Sequence, residues 1–220
     1  MIVKLFLLGR PGSGKSTAYH YITRHIEKHY DKWPVYRVND YEILYKMFLA
    51  DKEHKDFYPS ASSGFEIWNT SILNSVLEKL EEQVRRHISS ASAENNELII
   101  IEFARDDYFE AFKLFKRNFL KAAYFLYIEA DVETCIWRIH NRVAHPTMYL
   151  TETDRHFVPD NILKDYYNKD ARSYMTLRFK KDYNIASRRV KIIDNISSIE
   201  DFLEEVKRIV DFILDKESRT

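Results

Sequence analysis

The feature that most constrains this chain is a glycine-rich stretch near its start, which holds three of the chain's four glycines within six residues. An apolar run (2–8) precedes the stretch and an amphipathic helical pattern follows it. The glycines must therefore form the turn between a strand and a helix. The stretch fits the pattern G-x-x-x-x-G-K-S/T at every fixed position and reads Gly9-Arg10-Pro11-Gly12-Ser13-Gly14-Lys15-Ser16.

Four further apolar runs, at 35–38, 97–103, 122–130 and 189–194, alternate with helical patterns along the chain. Several of them are continuous, which is typical of strands that are covered on both faces. Five strands joined by helical crossovers predict a three-layer α/β/α fold around a five-stranded parallel sheet. In such a fold the functional residues lie at the carboxyl ends of the strands.

The chain has 220 residues and contains neither an internal repeat nor a Pro/Gly/Ser-rich linker, which predicts one domain spanning residues 1–220. Helical spacing of apolar residues from Phe65 to Val84 predicts one long helix inside a helical insertion at 41–96. A polar stretch with two prolines interrupts the pattern later in the chain, and we interpret residues 143–160 as a lid.

The composition limits which binding partners and which cellular compartment are expected. Basic and acidic residues balance at 34 each, so no overall field draws the chain to nucleic acid or to an anionic membrane, and neither is an expected partner. The only cysteine, Cys135, lies in an apolar helical pattern and is expected to be a core thiol in a reducing compartment. The first apolar run is too short for a membrane span or a signal peptide, so we expect a cytoplasmic protein.

The glycine-rich stretch has the chemistry of a phosphate-binding loop. A chain that wraps a polyphosphate must point successive N–H groups inward, which requires backbone angles that glycine adopts readily. The helix that begins near Lys15 adds unpaired N–H groups and the positive end of its dipole. We expect Lys15 to reach the β- and γ-phosphates of ATP and the Ser16 hydroxyl to ligate Mg²⁺. The expected ATP contacts are Gly9, Arg10, Pro11, Gly12, Ser13, Gly14, Lys15, Ser16 and Thr17.

At these residues the chain resembles the P-loop NTPases, and within them the small-molecule and nucleotide kinases. A GTPase would need an N-K-x-D motif, but the only Asn-Lys pair, at 168–169, is followed by aspartate one position too early. A motor-type ATPase needs an aspartate directly after four apolar residues. Here the apolar residues 99–101 are followed by Glu102 instead. Neither alternative is well supported by the sequence.

The segment 101–105, Ile-Glu-Phe-Ala-Arg, is similar to the D-G-F-P-R segment of nucleoside-monophosphate kinases and keeps its phenylalanine and arginine. That resemblance implies that Arg105 binds the acceptor. Glu102, at the carboxyl end of a strand, is a candidate for the Mg²⁺ shell or for a base, because a carboxylate directly after apolar residues is costly unless it is paired. The alternative is that Glu102 caps the next helix together with Asp106 and Asp107.

A second carboxylate, Asp40, follows the strand at 35–38 at the same edge of the sheet. Several small-molecule kinases of this architecture keep an aspartate there as the base that faces the acceptor hydroxyl. In-line transfer needs an oriented acceptor oxygen that loses its proton as the new bond forms, and a carboxylate serves this purpose. The alternative is a helix N-cap, for which both Asn39 and Asp40 are suitable.

Two arginines, Arg138 and Arg142, lie four positions apart and share a helical face that leads into the expected lid. In nucleotide kinases, arginines at this place hold the transferring phosphoryl group, and guanidinium groups suit its spread negative charge. The alternative is a pair of solvated arginines. Within 155–160, His156, Val158 and Pro159 are similar to the H-x-V-P stretch of zeta-toxin-like kinases.

Resemblance also implies sites for the base and the acceptor. The segment 190–202 resembles the loop where such kinases hold adenine by backbone contacts, and Asn195 would flank the base. Kinases of this type bind the acceptor in the segment that corresponds to 41–96, where Phe57, Phe65 and Trp68 are our candidates for the acceptor pocket. Aromatic residues with helical spacing are more often part of a core.

Together these features predict an ATP- and Mg²⁺-dependent phosphotransferase that acts on a small-molecule hydroxyl or phosphate acceptor, with nucleosides and nucleotides among the candidates. One alternative is a nucleotide-sensing or partner-binding module with little or no turnover. Another is a polynucleotide 5′-kinase, which would need a basic channel that the balanced composition does not indicate. The acceptor's identity and the oligomeric state are left open by the sequence.

Overall fold

A computed structural model of the chain describes residues 1–30, 32–59, 65–91, 96–144, 157–169 and 171–217. The strands within these ranges are β1 Ile2–Leu8, β2 Val35–Asn39, β3 Phe57–Pro59, β4 Phe65–Ile67, β5 Glu97–Phe103, β6 Tyr124–Glu129 and β7 Val190–Asp194. Five of them form a parallel sheet in the order β2-β5-β1-β6-β7, and β3 and β4 form a separate antiparallel pair.

Helices cover both faces of the main sheet. In the described residues they are α1 Lys15–His29, α2 Asp40–Ala50, α3 Ile72–Ser90, α4 Tyr108–Lys113, α5 Arg117–Lys121, α6 Val132–Ala144, α7 Asp160–Asp165, α8 Ala171–Leu177, α9 Phe179–Asp182 and α10 Ile199–Glu217. Residues of α1 and α10 pack on one face, and residues of α2, α3, α4, α8 and α9 pack on the other. The predicted three-layer α/β/α fold with a five-stranded parallel sheet is confirmed.

The strand β1 lies at the centre of the sheet, between β5 and β6, and its residues from Leu5 to Leu8 are fully buried. Phe6 stacks on Phe125 with 4.9 Å between the ring centroids and meets Phe115 edge-on at 5.5 Å. Burying one such side chain stabilises the fold by about 1.5–3 kcal/mol. This aromatic core holds the carboxyl end of β1, and therefore the glycine-rich turn that follows it, in a fixed place.

One predicted element is wrong. Phe65 belongs to the strand β4, and the helix α3 begins only at Ile72. Between them, the side-chain oxygen of Asn69 accepts hydrogen bonds from the Ser71 backbone (3.1 Å) and from its hydroxyl (2.7 Å). Such local bonds compete with helix formation, so the apolar spacing that matched a helix instead spans a strand, a turn and a helix.

The predicted lid at 143–160 falls mostly on residues 145–156, which lie outside the described residues, as does His156. The structure describes the end of α6 before this segment and the start of α7 after it. Cys135 is fully buried, as predicted, and burial raises the pKa of its thiol to about 11. Within the described part of the chain, every helix is too short or too polar to cross a bilayer.

Candidate functional site

The glycine-rich turn adopts backbone conformations that require glycine. Gly12 has a φ of 81° and Gly14, which caps the start of α1, has a φ of 111°. A Cβ added to Gly12 would lie 2.6 Å from the carbonyl oxygen of Cys135 on α6. Both the left-handed angle and the close approach of α6 therefore exclude a side chain at this position.

Lys15, the first residue of α1, is buried beside the turn. Its Nζ donates hydrogen bonds to the carbonyl oxygens of Gly9 (2.8 Å) and Arg10 (2.9 Å). Burial lowers the pKa of Lys15, and the nearby carboxylates Glu102 and Asp40 oppose that effect. The ammonium group is thus held at the mouth of the loop, next to the positive end of the α1 dipole.

Asn195, which follows β7, braces the loop. Its Nδ2 donates to the carbonyl oxygen of Ser13 at 2.7 Å, and its own backbone N–H donates to Glu129 at 2.8 Å. Arg138 in turn donates through Nη2 to the carbonyl oxygen of Asn195 at 2.9 Å. The predicted base contact of Asn195 stays a prediction, while the structure gives its side chain a role in positioning the phosphate loop.

Arg10 occupies the second position of the loop, but its side chain turns toward the neighbouring elements. It forms an ion pair with Glu129 at the end of β6 and donates to the carbonyl oxygens of Tyr167 (2.7 Å) and Lys169 (3.0 Å). The Arg10 side chain therefore ties the loop to the segment after α7. An ATP contact from Arg10 would have to come from its backbone.

Asp40 is the first residue of α2, and the cap of this helix is its neighbour Asn39, whose Oδ1 accepts from the backbone N–H of Tyr41 at 2.7 Å. Asp40 Oδ2 lies 2.6 Å from Nη1 of Arg105 and accepts from the backbone N–H of Ala104 at 3.3 Å. The sequence left open whether Asp40 is a cap, and the structure assigns that role to Asn39. Asp40 and Arg105 instead form a buried ion pair.

Glu102, near the end of β5, is also paired. Arg37 on β2 donates to its Oε2 from Nη2 (2.6 Å) and from Nε (3.0 Å), and both side chains are buried. Glu102 does not cap the next helix, because Asp107 does so by accepting from the backbone N–H of Glu110 at 3.1 Å. Sequence reasoning missed Arg37, which stands opposite Ile100 on β5 and therefore on the same face of the sheet as Glu102, two positions further on.

These groups open on one cavity of about 790 Å³ at the carboxyl ends of the strands. A cavity of this size is in the usual range for small-molecule sites. Its lining includes most of the residues predicted from the sequence, namely Pro11, Gly12, Gly14, Lys15, Ser16, Thr17, Asp40, Glu102, Arg105, Arg138, Arg142 and Asn195. The structure therefore brings the phosphate loop, both carboxylates and three arginines together.

Two predicted acceptor residues lie elsewhere. Phe57 is 1% exposed and packs in the core, with its ring edge-on to Phe65 at 5.2 Å. Trp68 is 73% exposed and, like Phe57, does not line the cavity. The third candidate, Phe65, does line the cavity, as does Tyr41. Phe57 belongs to the core behind Phe65, and Trp68 lies in the turn between β4 and α3 rather than on the predicted helix.

The oxygen donors at the loop are suited to Mg²⁺ only together with the phosphates of a bound nucleotide. Among the described residues, no group of three or more His, Cys, Asp or Glu side chains is able to hold a metal ion. The Ser16 hydroxyl and the Glu102 carboxylate both line the cavity and provide the hard oxygen donors that Mg²⁺ prefers. Phosphate oxygens would have to supply much of the remaining coordination.

Comparison with known proteins shows the fold. No family model and no curated protein sequence matches the chain. Among solved structures, a gluconokinase from Sinorhizobium meliloti 1021 is 15% identical with a TM-score of 0.52, and the match covers 98% of this chain and 95% of that one. A sugar kinase from Janibacter sp. is 13% identical with a TM-score of 0.50, covering 96% and 95% of the two chains.

A third similar structure is Kti12 from Chaetomium thermophilum in complex with ADP-AlF3. It is 12% identical with a TM-score of 0.53, and the match covers 96% of this chain and 97% of that one. The similarity to all three extends over nearly the whole chain. The chain therefore has the P-loop kinase-like α/β fold, as its glycine-rich loop predicted.

Proposed function

We propose that this protein is an ATP-dependent phosphotransferase that moves the γ-phosphoryl group of ATP to a small-molecule hydroxyl or phosphate acceptor. The observation that carries the proposal is the shared cavity, in which Lys15 and Ser16 of the phosphate loop face the same space as Asp40 and Arg105. A phosphotransferase must hold donor and acceptor side by side in this way. The names of the gluconokinase and the sugar kinase support the same reaction class.

In the proposed reaction, the acceptor oxygen attacks the γ-phosphorus while the bond from that phosphorus to the β–γ bridging oxygen breaks. ADP leaves with the electron pair, and the acceptor's proton passes to the Asp40 carboxylate. The role of Arg105 is to hold the Asp40 carboxylate in place, since its Nη1 lies 2.6 Å from Oδ2. General-base assistance of this kind contributes about 10²–10⁴-fold to a rate.

Lysine and arginine side chains would meet the charge at the phosphoryl group. Lys15 is proposed to exchange its bonds to the loop carbonyls for the phosphates, and Arg138 and Arg142 line the same cavity. Ser16 and Glu102 are the residues that would hold Mg²⁺, which supplies further stabilisation of the phosphate charge. The segment 143–160 is proposed to close over this end, and residues 41–96 to bind the acceptor.

We also propose that the binding partner is a small molecule and that the protein acts in the cytoplasm. A basic channel for nucleic acid is not expected from the balanced charge of 34 basic and 34 acidic residues.

A second candidate, a nucleotide-binding module with little or no turnover, is favoured by one specific observation. Both Lys15 Nζ and Asp40 Oδ2 already have partners within the protein, at 2.6–2.9 Å. A site that keeps these bonds with ATP present would bind nucleotide without catalysing transfer. The two candidates differ in whether an acceptor stimulates ATP consumption.

The test measures ATP binding by calorimetry and ATP consumption with a panel of nucleosides, nucleotides, sugars and amino alcohols. Lys15→Ala should abolish acceptor-dependent ATP consumption, while Lys113→Ala, which removes an exposed lysine paired with Glu110 on α4, should leave it unchanged. Consumption that persists in Lys15→Ala would refute the assignment of the loop. Tight ATP binding with no stimulation by any acceptor would favour the second candidate.

A further inference from the structure

One part of the cavity lining is mainly aromatic and aliphatic. The residues that form this wall, here called the acceptor wall, come from α2, β4 and the start of α3. They are Tyr41, Leu44, Phe65, Ile67 and Leu73.

The ring of Phe65 is fixed from behind. Phe57 meets it edge-on at 5.2 Å and an interplanar angle of 89°, and Phe48 packs on it at 5.2 Å and 26°. Tyr41 also lies nearly parallel to Phe65, with 5.5 Å between the centroids and 15° between the planes. Burial raises the pKa of the Tyr41 hydroxyl to about 12. The two rings form a preformed apolar surface, which costs a ligand little ordering entropy.

Several polar groups close to this wall already bond within the protein, and of the Arg105 nitrogens only Nε lacks a partner. Asn39 caps α2, Asp40 pairs with Arg105, and Arg105 also donates to the carbonyl oxygens of Ala104 (2.5 Å) and Leu73 (2.9 Å). Glu66 and Thr70, which also line the cavity, are exposed side chains. A polyhydroxylated acceptor would leave many of its hydroxyls without a directed partner on such a surface, and unmatched polar groups are costly.

From this contrast we infer that the acceptor is a small molecule with a planar aromatic ring that packs against Tyr41 and Phe65 and presents a hydroxyl to Asp40. Nucleosides and heteroaromatic alcohols share this chemistry. The inference rests on the proposed phosphotransferase function and names the substrate class. It separates this chain from the polyol acceptors that the names of the gluconokinase and the sugar kinase would suggest.

The first experiment compares ring-bearing and polyol compounds on the wild-type protein in the presence of Mg²⁺ and an ATP analogue. Binding is measured by calorimetry for cytidine, adenosine, pyridoxine, gluconate and xylitol, and ATP consumption is measured with the same compounds. We expect binding and stimulation only with ring-bearing compounds. Comparing the two nucleosides with pyridoxine distinguishes a nucleoside acceptor from another heteroaromatic alcohol.

The second experiment removes the ring at Phe65. Phe65→Leu keeps an apolar side chain but loses the flat face, and it should weaken binding of the ring-bearing compound about tenfold, a typical loss for one stacking partner. The turnover number at saturation should change little. Tyr58→Ala is the matched control, since Tyr58 lies in the same hairpin, is 47% exposed and does not line the cavity. Circular dichroism and thermal melting check that each variant is folded.

A preference for gluconate or xylitol, or ring binding that Phe65→Leu leaves unchanged in a folded protein, would overturn the inference and leave the phosphotransferase intact. Absence of all ring binding would overturn it as well. A protein that fails to bind the ATP analogue would instead refute the proposed function. Ring binding that depends on Phe65 supports the inference even where no compound is turned over.

Discussion

The two ends of the cavity are built in different ways. The phosphate end is mainly backbone, with left-handed glycines, a helix start and a lysine in one continuous stretch at 9–16. The proposed acceptor end is made of side chains from Tyr41, Phe65 and Arg105, which are far apart in the sequence. All triphosphates have the same shape, so one local motif can bind them, whereas an acceptor is recognised by a surface specific to its own chemistry.

The largest effect is expected from a change that breaks the phosphate end. Gly12→Ala should reduce ATP affinity at least about 100-fold, because a Cβ would lie 2.6 Å from the Cys135 carbonyl at a φ of 81°, and such strain costs about 1–3 kcal/mol before the loop shifts. Calorimetric titration with ATP measures the effect. A Gly12→Ala variant that binds ATP as tightly as the wild-type protein would contradict the described loop.

A change at the acceptor end should spare nucleotide binding. Asp40→Asn should lower turnover by about 10²–10⁴-fold, because the proposed base is lost, and leave ATP affinity within about a factor of two of the wild-type value. Asparagine still offers an oxygen to Arg105, so the buried arginine keeps a partner. Steady-state kinetics and calorimetry test the two halves of this prediction separately. Equal losses of turnover and of ATP affinity would mean that the two ends of the cavity are not independent.

The smallest effect is expected near the amino end of β1, away from the cavity. Lys4 donates from Nζ to the Phe119 carbonyl oxygen at 2.6 Å, and burial, with help from Arg85, lowers its pKa from 10.5 to about 8. The folded protein loses this proton before the unfolded chain does, so the unfolded chain binds more protons between pH 8 and 10.5. The free energy of unfolding should therefore rise with pH across that window.

Replacing this lysine isolates its contribution. Lys4→Met should flatten the rise in the free energy of unfolding across the same pH window, as measured by urea denaturation at several pH values, and ATP affinity should stay unchanged. A wild-type protein whose stability falls more steeply with pH than that of Lys4→Met would show that the sign is wrong.

Local patterns made the sheet and the phosphate end predictable. The bounds of β1 and β5 agree with the apolar runs at 2–8 and 97–103, because continuous apolar runs are a local property of buried parallel strands. The glycine pattern predicted left-handed angles at the turn, and Gly9, Gly12 and Gly14 all have positive φ. Each of these inferences needed only a short stretch of neighbouring residues.

The rest of the site depends on contacts between distant residues. The pairing of Arg37 with Glu102 joins two neighbouring strands across 65 positions of sequence, and Asn195 reaches Ser13 across 182. Phe65 was misassigned to a helix because spacing alone does not distinguish a helix from a strand followed by a turn. Single-sequence patterns carry no signal for such contacts, which arise only when the chain folds.

The central claim is that one cavity holds the nucleotide at the loop and the acceptor beside Asp40. A crystal structure with Mg²⁺, a non-hydrolysable ATP analogue and a ring-bearing acceptor tests it most directly. We predict the triphosphate in the loop, Lys15 Nζ moved from the Gly9 and Arg10 carbonyls to the phosphates, and the acceptor hydroxyl within about 3 Å of Asp40. A triphosphate bound elsewhere, with Lys15 still bonded to the loop carbonyls, would contradict the account.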